Sequence, residues 1–331
     1  MLEADVELDR REFRLSAVFA VAAGERLALF GPSGAGKTTI LEVIAGLLEP
    51  ARGSVVLDGR VLTRTAAPRR QVPPWQRRVG LLRQDPALFP HLSVRQNLGY
   101  APAPGVGRDE ITRIAERLGI GGLLDDRPAR VSGGQAHRVA LGRLLASQCD
   151  ALLLDEPYTG LDASLRRDLT DLVRDLVAAR QVPSVLVAHE LEAAQAFADQ
   201  MAVLDHGQIL QTGPPAEVVA APAARRVAEL VGYRSFVPLA GAPEGVVAGV
   251  HPDRVVAGRQ PGRGVVLAGP VRSSRPSGAG WEATIEAAGT LVPARLREQP
   301  GGGPDFAFTV LDPPCFGPDG LRVSRPEEVP T

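Results

Sequence analysis

The chain holds 331 residues, about twice the ~150 that serve as a soft prior for one domain, so two domains are expected. With 44% hydrophobic and 23% charged residues it reads as globular and not fibrous, and 37 basic against 38 acidic side chains leave a net charge of -1, which argues against a nucleic-acid partner. Cys149 and Cys315 show no metal or redox spacing, so a reducing compartment is expected and a disulfide scaffold excluded. The start MLEADVELDRREF lacks a basic, then apolar, leader pattern, and no run of 18 apolar residues occurs, so neither export nor a membrane span is expected.

Arg26 to Phe30 (RLALF) reads as a short buried strand, and Thr38 to Ala45 (TTILEVIA) as a helix with Ile40, Leu41 and Ile44 at helical spacing. Between them Gly31-Pro32-Ser33-Gly34-Ala35-Gly36-Lys37-Thr38 fills the G-x-x-x-x-G-K-[ST] pattern of a phosphate-binding loop. Lys37 is the only lysine among the 37 basic residues, and a compact ammonium on a flexible stem enters a tight loop more readily than a planar guanidinium. In such a loop, backbone N-H groups curl around phosphates, the helix N-terminus adds partial positive charge, Lys37 reaches the terminal phosphates and Thr38 ligates Mg2+. The loop points to a nucleotide-phosphate site, not to a particular reaction.

Further along, Gln84 stands in LLRQD, and the stretch from Asp85 to Arg130 contains PALFPHLSVRQNLGY and a helix from Asp109 to Leu118. Leu88 and Phe89 are either part of a partner surface or buried under their own helices. Val131-Ser132-Gly133-Gly134-Gln135 precedes a helix from Ala136 to Ala146, offering a second anion site at a helix start. Ala151 to Glu156 (ALLLDE) is a continuous apolar strand ending in two carboxylates, placed where parallel sheets hold ligands. Asp155 suits Mg2+, and Glu156 suits polarising the water that attacks a γ-phosphate, although alone the pair could be a solvated turn before Pro157. After Asp162, an N-cap, Ala163 to Ala179 carries Leu165, Leu169, Leu172, Val173 and Leu176 on one packing stripe. His189 follows a strand from Ser184 to Ala188 and, taken singly, could simply cap it. His91, His137, His206 and His251 have no partner at ligand spacing, so solvent or turn positions are expected for them.

In this order the loop at Gly31, VSGGQ and LLLDEP resemble the ATP-binding cassette family, the ATPase subunits of ABC transporters, over roughly residues 1 to 230. Gln84 matches the glutamine loop, Leu161-Asp162 the loop that contacts a partner subunit, and His189 the switch histidine. The resemblance implies an α/β P-loop NTPase fold with a helical subdomain at about 86–148. It implies that Gly31, Pro32, Ser33, Gly34, Ala35, Gly36, Lys37, Thr38 and Thr39 hold ATP phosphates, and that Thr38 and Gln84 with Asp155 serve Mg2+. Glu156 would activate water and His189 contact the γ-phosphate. Ser132, Gly133, Gly134 and Gln135 would cover the ATP of a second copy, giving a homodimer that sandwiches two ATP molecules, with Asp162 in the dimer loop. Phe13, beside Arg11 and Arg14, is the aromatic offered to adenine, and Phe89, Pro90 and His91 form the surface offered to a membrane subunit. The same resemblance implies two membrane-spanning permease subunits, indirect work with an extracytoplasmic substrate-binding protein, and a peripheral place on the cytoplasmic face of the membrane.

From residue 231 to 331 the texture turns rich in Gly and Pro with short valine runs. Trp281, Ala283, Ile285 and Ala287 alternate with polar residues, as do Phe306, Phe308 and Val310, so a small all-β domain, an OB-like barrel or sandwich, is expected. The pattern, with GVHPDRVV, resembles the C-terminal accessory domain of import ATPases, where the resemblance implies a regulatory oxyanion site. LDGRVL, RRVGLLRQDPALFPHLSVRQNLGY and GIGGLLDDRPARVSGGQ resemble the ATPase subunits of molybdate importers most, while relatives importing sulfate, ferric iron, polyamines or sugars share much of this. A soluble, non-transport cassette ATPase is the rival class, and it predicts tandem cassettes or a long coiled coil and a basic surface.

Overall fold

The computed structural model describes every residue except 10–13, 159–162, 240, 261, 263, 302, 304, 305 and 325–331. Phe13 and Asp162, expected at adenine and in the dimer loop, lie outside the described residues. The chain separates into two compact units, Met1–Pro215 and Ala216–Thr331.

In the first unit, β1 (Leu2–Asp9) and β2 (Arg14–Val21) alternate buried and exposed side chains and pair antiparallel, Leu2 opposite Val21. β3 (Arg26–Phe30) and α1 (Lys37–Ala45) flank the glycine loop. β4 (Arg52–Leu57), β5 (Arg60–Arg64) and β6 (Arg70–Gln71) extend the antiparallel side, and a single turn, α2 (Pro74–Arg77), leads into β7 (Val79–Leu82). Three helices follow, α3 (Val94–Leu98), α4 (Arg108–Arg117) and α5 (Gly133–Ala146), with α5 packed against both others. The chain then runs β8 (Ala151–Asp155), α6 (Ala163–Arg180), β9 (Ser184–Ala188), α7 (Leu191–Phe197), β10 (Gln200–Asp205) and β11 (Gln208–Gly213).

The eleven strands among the described residues of this unit join one sheet in the order β6-β5-β4-β1-β2-β11-β10-β3-β9-β8-β7. From β10 to β7 every neighbour is parallel. β8 and β9 are buried at all five positions, as strands covered on both faces must be, which is why ALLLD and SVLVA read as unbroken apolar runs. Ile40, Leu41, Val43 and Ile44 of α1 pack on this sheet in one core with Leu29, Leu153 and Val187.

The far end of α1 is tied down by an arginine. Arg77 is fully buried and its guanidinium donates to the carbonyls of Val43 (3.1 Å), Ile44 (2.9 Å) and Val72 (2.7 Å) and to Thr63 Oγ1 (2.8 Å). Burial, reinforced by the Arg60 charge, pushes it down to about 10. The carbonyls at a helix C-terminus carry partial negative charge, so this cation sits where the helix favours one. Room for it comes from Gly46, whose φ is 81°; a Cβ there would lie 2.3 Å from Arg77 Nε.

The second unit opens with α8 (Pro215–Ala220) and α9 (Arg225–Leu230), so the change of texture read near residue 230 falls after its two short helices. Its described strands form three small sheets: β12 (Ser235–Pro238), β13 (Val247–Val250), β20 (Cys315–Phe316) and β21 (Arg322–Val323); β14 (Val255–Ala257), β19 (Phe306–Leu311) and β15 (Gly264–Gly269); and β16 (Val271–Ser277), β17 (Gly280–Ala287) and β18 (Thr290–Leu296). Ala283, Ile285, Ala287, Phe308 and Val310, the inward positions of the alternating runs, meet in its core.

Candidate nucleotide site

Four segments converge because the strands before them are neighbours. The loop Gly31–Gly36 follows β3, His189 follows β9, Asp155 and Glu156 end β8, and Gln84 lies two residues beyond β7; these strands are adjacent and parallel, so all four segments leave one carboxyl edge.

Gly31 allows the loop's first turn, since a Cβ there would stand 2.0 Å from the Leu204 carbonyl oxygen. Gly36, at φ 104°, caps α1, which begins at Lys37 and thereby turns its first amides toward the loop. Lys37 is buried and its Nζ donates to the carbonyls of Gly31 and Pro32, each at 2.8 Å. Burial pushes the Lys37 ammonium down from the ordinary lysine value, while Glu156 and Asp155 pull it back up. Ser33, Gly34 and Thr38 are exposed, so the loop opens outward between the buried Lys37 and solvent.

Thr38 Oγ1 lies 3.1 and 3.0 Å from the carboxylate oxygens of Asp155. Burial raises the Asp155 carboxyl above the ordinary range; the Thr38 hydrogen bond and the Lys37 charge oppose that rise, and Glu156 and Glu42 add to it. Hydroxyl and carboxylate oxygens are hard donors, which fits Mg2+ held by one or two protein groups together with phosphate oxygens and water. Gln84 is exposed, and no side-chain contact places it beside Thr38 or Asp155 among the described residues.

Glu156 takes a left-handed backbone, φ 50°, which breaks the strand and turns its side chain off the sheet. Its Oε1 lies 3.2 Å from His189 Nδ1. His189 in turn is flanked by Glu190, whose Oε1 is 4.0 Å from Nε2 and whose Oε2 accepts from Arg166 Nη1.

The serine-glycine segment lies in the helical layer. Ser132 caps α5: its Oγ accepts from the Gln135 amide (3.3 Å), while Gln135 Oε1 accepts from the Ser132 amide (2.8 Å). This capping box starts α5 at Gly133, three residues earlier than the hydrophobic spacing predicts, and puts both glycines in its first turn. Ser132 and Gly133 are exposed. Phe89 is half-buried, its ring 4.3 Å from that of Tyr100 and 5.1 Å from the Arg143 guanidinium, while Pro90 and His91 are exposed.

Two placements depart from the sequence reading. His137 is not at the surface: it is buried on α5, against the Gln84 backbone, and its Nε2 has no partner among the described residues. Position 137 belongs to the inner stripe of α5, with Ala140, Leu141 and Leu144 three, four and seven residues on. His251 is also half-buried, edge-on to Tyr233 at 5.2 Å. Arg166 and Glu190, which brace His189, carry no local motif and were not singled out.

The family model described as ABC transporter matches residues 16–159. The chain is 45% identical over 228 residues to the molybdenum import ATP-binding protein ModC of Mycobacterium tuberculosis, covering 66% of this chain and 62% of that protein. It is 41% identical over 225 residues to the Fe(3+) ions import ATP-binding protein FbpC of Mesorhizobium japonicum, covering 66% of this chain and 61% of that one. It is 37% identical over 239 residues to the molybdate/tungstate import ATP-binding protein WtpC of Thermococcus kodakarensis, covering 70% of each. The chain therefore spans a little over three fifths of the first two relatives. Similarity of this length and level, over a P-loop site of this geometry, shows that the chain belongs to the ABC transporter family of ATP-binding proteins.

Proposed function

We propose that this chain is the ATP-hydrolysing subunit of an ABC importer, working as a homodimer beneath two membrane-spanning permease subunits at the cytoplasmic face of the membrane. The observation that carries the reading is the meeting of Lys37, Thr38, Asp155, Glu156 and His189 at one carboxyl sheet edge. Lys37 and the first amides of α1 hold the ATP phosphates, and Thr38 and Asp155, with Gln84 from the neighbouring strand end, hold Mg2+. When bound, that ion neutralises charge on the phosphates. Glu156 accepts a proton from the attacking water, and His189, bonded to Glu156, orients it and meets the γ-phosphate.

One chain leaves the γ-phosphate open on the side of the exposed Ser33, Gly34 and Thr38. Ser132, Gly133, Gly134 and Gln135, a helix start exposed at Ser132 and Gly133, are the donors that close it from a second copy, with Asp162 at the seam. ATP then joins the two copies, and loss of its γ-phosphate releases them. No helix among the described residues is long and apolar enough to cross a membrane. Residues 1–230 form the cassette, with its helical subdomain at about 86–148, and residues 231–331 an accessory domain, read as regulatory.

Molybdate is the cargo best supported, since the relative 45% identical to this chain is a molybdenum import ATP-binding protein, against 41% for the Fe(3+) one. Ferric iron is the alternative favoured by a specific observation, the 41% identity to an Fe(3+) importer subunit. Glu156→Gln decides the core of the reading: it keeps ATP binding, slows turnover at least ~100-fold and gains a stable ATP-dependent dimer in light scattering. A variant that hydrolyses ATP at the native rate overturns the assignment, and transport with competing oxyanions or ferric iron decides the cargo.

A further inference from the structure

Glu156 and His189 are braced from one side by a row of charges. Arg166, in the first turn of α6, donates to Glu190; Glu190 flanks His189; and His189 meets Glu156. The row crosses from α6 over the end of β9 to the end of β8, and all four side chains line one cavity with Tyr158 and Ala193. Arg166 Nε is buried without a hydrogen-bond partner among the described residues, so the Nη1 contact to Glu190 is what orients the guanidinium.

We propose that Arg166 is a positioning residue for the His189–Glu156 pair, acting through Glu190. The inference rests on the ATPase reading above and deepens it. His189 has two carboxylates within reach, at 3.2 Å through Nδ1 and 4.0 Å through Nε2. A neutral imidazole donates from only one of its two nitrogens, so the two carboxylates compete for that single proton, and a carboxylate whose charge is neutralised by a guanidinium is the weaker acceptor. Arg166 neutralises Glu190, so the proton of the imidazole is left to Glu156, the nearer carboxylate. Without that cation the unpaired Glu190 competes for the ring and draws it off the water-activating carboxylate. Both members of the Arg166–Glu190 pair are partly exposed, so the pair contributes little to stability and its effect lies in orientation.

A double-mutant cycle on the full chain tests this, reading ATP hydrolysis, ATP binding and thermal unfolding for Arg166→Met, Glu190→Gln and the double variant. Arg166→Met is expected to lower kcat about tenfold while KM for ATP moves less than about twofold. Arg166→Lys recovers most of that loss. In the Glu190→Gln background Arg166→Met costs nothing further, because the competing carboxylate is already gone. A native kcat in Arg166→Met, a loss carried by KM, or full additivity with Glu190→Gln overturns the inference. Should Arg166→Met fail to fold, Arg166→Gln, polar but uncharged, with and without Glu190→Gln decides by the same criterion of additivity. Failure of the parent reading is distinct: it shows as native turnover in Glu156→Gln, whatever the Arg166 variants do.

Discussion

Thr38 Oγ1 and the two carboxylate oxygens of Asp155 stand 3.1 and 3.0 Å apart across 117 residues of sequence. One comes from the helix after β3 and the other from the tip of β8, with β9 between those strands in the sheet. The contact therefore depends on strand order, and it offsets part of what burying the Asp155 carboxylate costs the fold.

Asp155→Asn separates the two demands. Burial raises the Asp155 carboxyl in the folded chain, so folding favours its neutral form and the ionised form at neutral pH costs stability. The cost is absent at pH values low enough to protonate the group and sets in as pH rises through its unfolded and then its folded range. An asparagine carries no such charge while still accepting from Thr38. The variant is expected to melt a few degrees higher, about 2–4 °C, near pH 7. Its Mg2+-dependent ATP hydrolysis falls at least ~100-fold, since the hard anionic donor is lost. Calorimetric melting beside hydrolysis with and without Mg2+ measures both; a variant less stable and fully active contradicts this account of the site.

Arg77 supplies the opposite case, a buried charge that the fold needs. Arg77→Met leaves the carbonyls of Ile44 and Val72 and the Thr63 hydroxyl without their donor, at about 3 kcal/mol in all. Gly46→Ala reaches the same contact from the other side, because its methyl group would enter the guanidinium and its backbone is left-handed. Urea unfolding is expected to shift to lower denaturant in both. If the double variant loses much less than the sum of the two, the shared contact is the cause; strict additivity shows that each acts elsewhere.

How much of this could be read from the chain depended on the range of the interaction. Lys37, Thr38 and the glycines between β3 and α1 are legible because a phosphate loop is built from consecutive residues, and ALLLD and SVLVA are legible because parallel strands bury every side chain. The five-strand parallel order then brings Asp155, Glu156 and His189 to that loop, and motifs in sequence order anticipated their company. Arg77, Arg166 and Glu190 are illegible for a common reason. Arginine and glutamate are ordinary surface residues in sequence, and what turns one into a helix anchor or a brace for His189 is a partner up to 34 residues away that only topology supplies. His137 differs: Ala140, Leu141 and Leu144, three, four and seven residues on, put it on the buried stripe, and a titratable side chain at such a position reads as exposed unless the stripe is followed through it.

His137 yields the pH prediction. Burial holds its imidazole below the ordinary value near 6.5, against a smaller upward pull from the Gln84 backbone. Protonation adds an N-H at Nε2, which has no acceptor among the described residues, at a cost of about 1–3 kcal/mol. The unfolded chain binds that proton more readily than the folded one. Stability is therefore fully present above pH 6.5 and is lost as pH falls from there through the folded-state value. His251, also held down chiefly by burial, contributes a slope of the same sign from the second unit. In His137→Gln an amide can keep the bond to Gln84 and cannot titrate. Urea unfolding at pH 7.5 and 5.5 should show the native chain weakening across this interval and His137→Gln weakening distinctly less. Equal losses in the two proteins would assign the acid sensitivity to other groups and return His137 to a packing role.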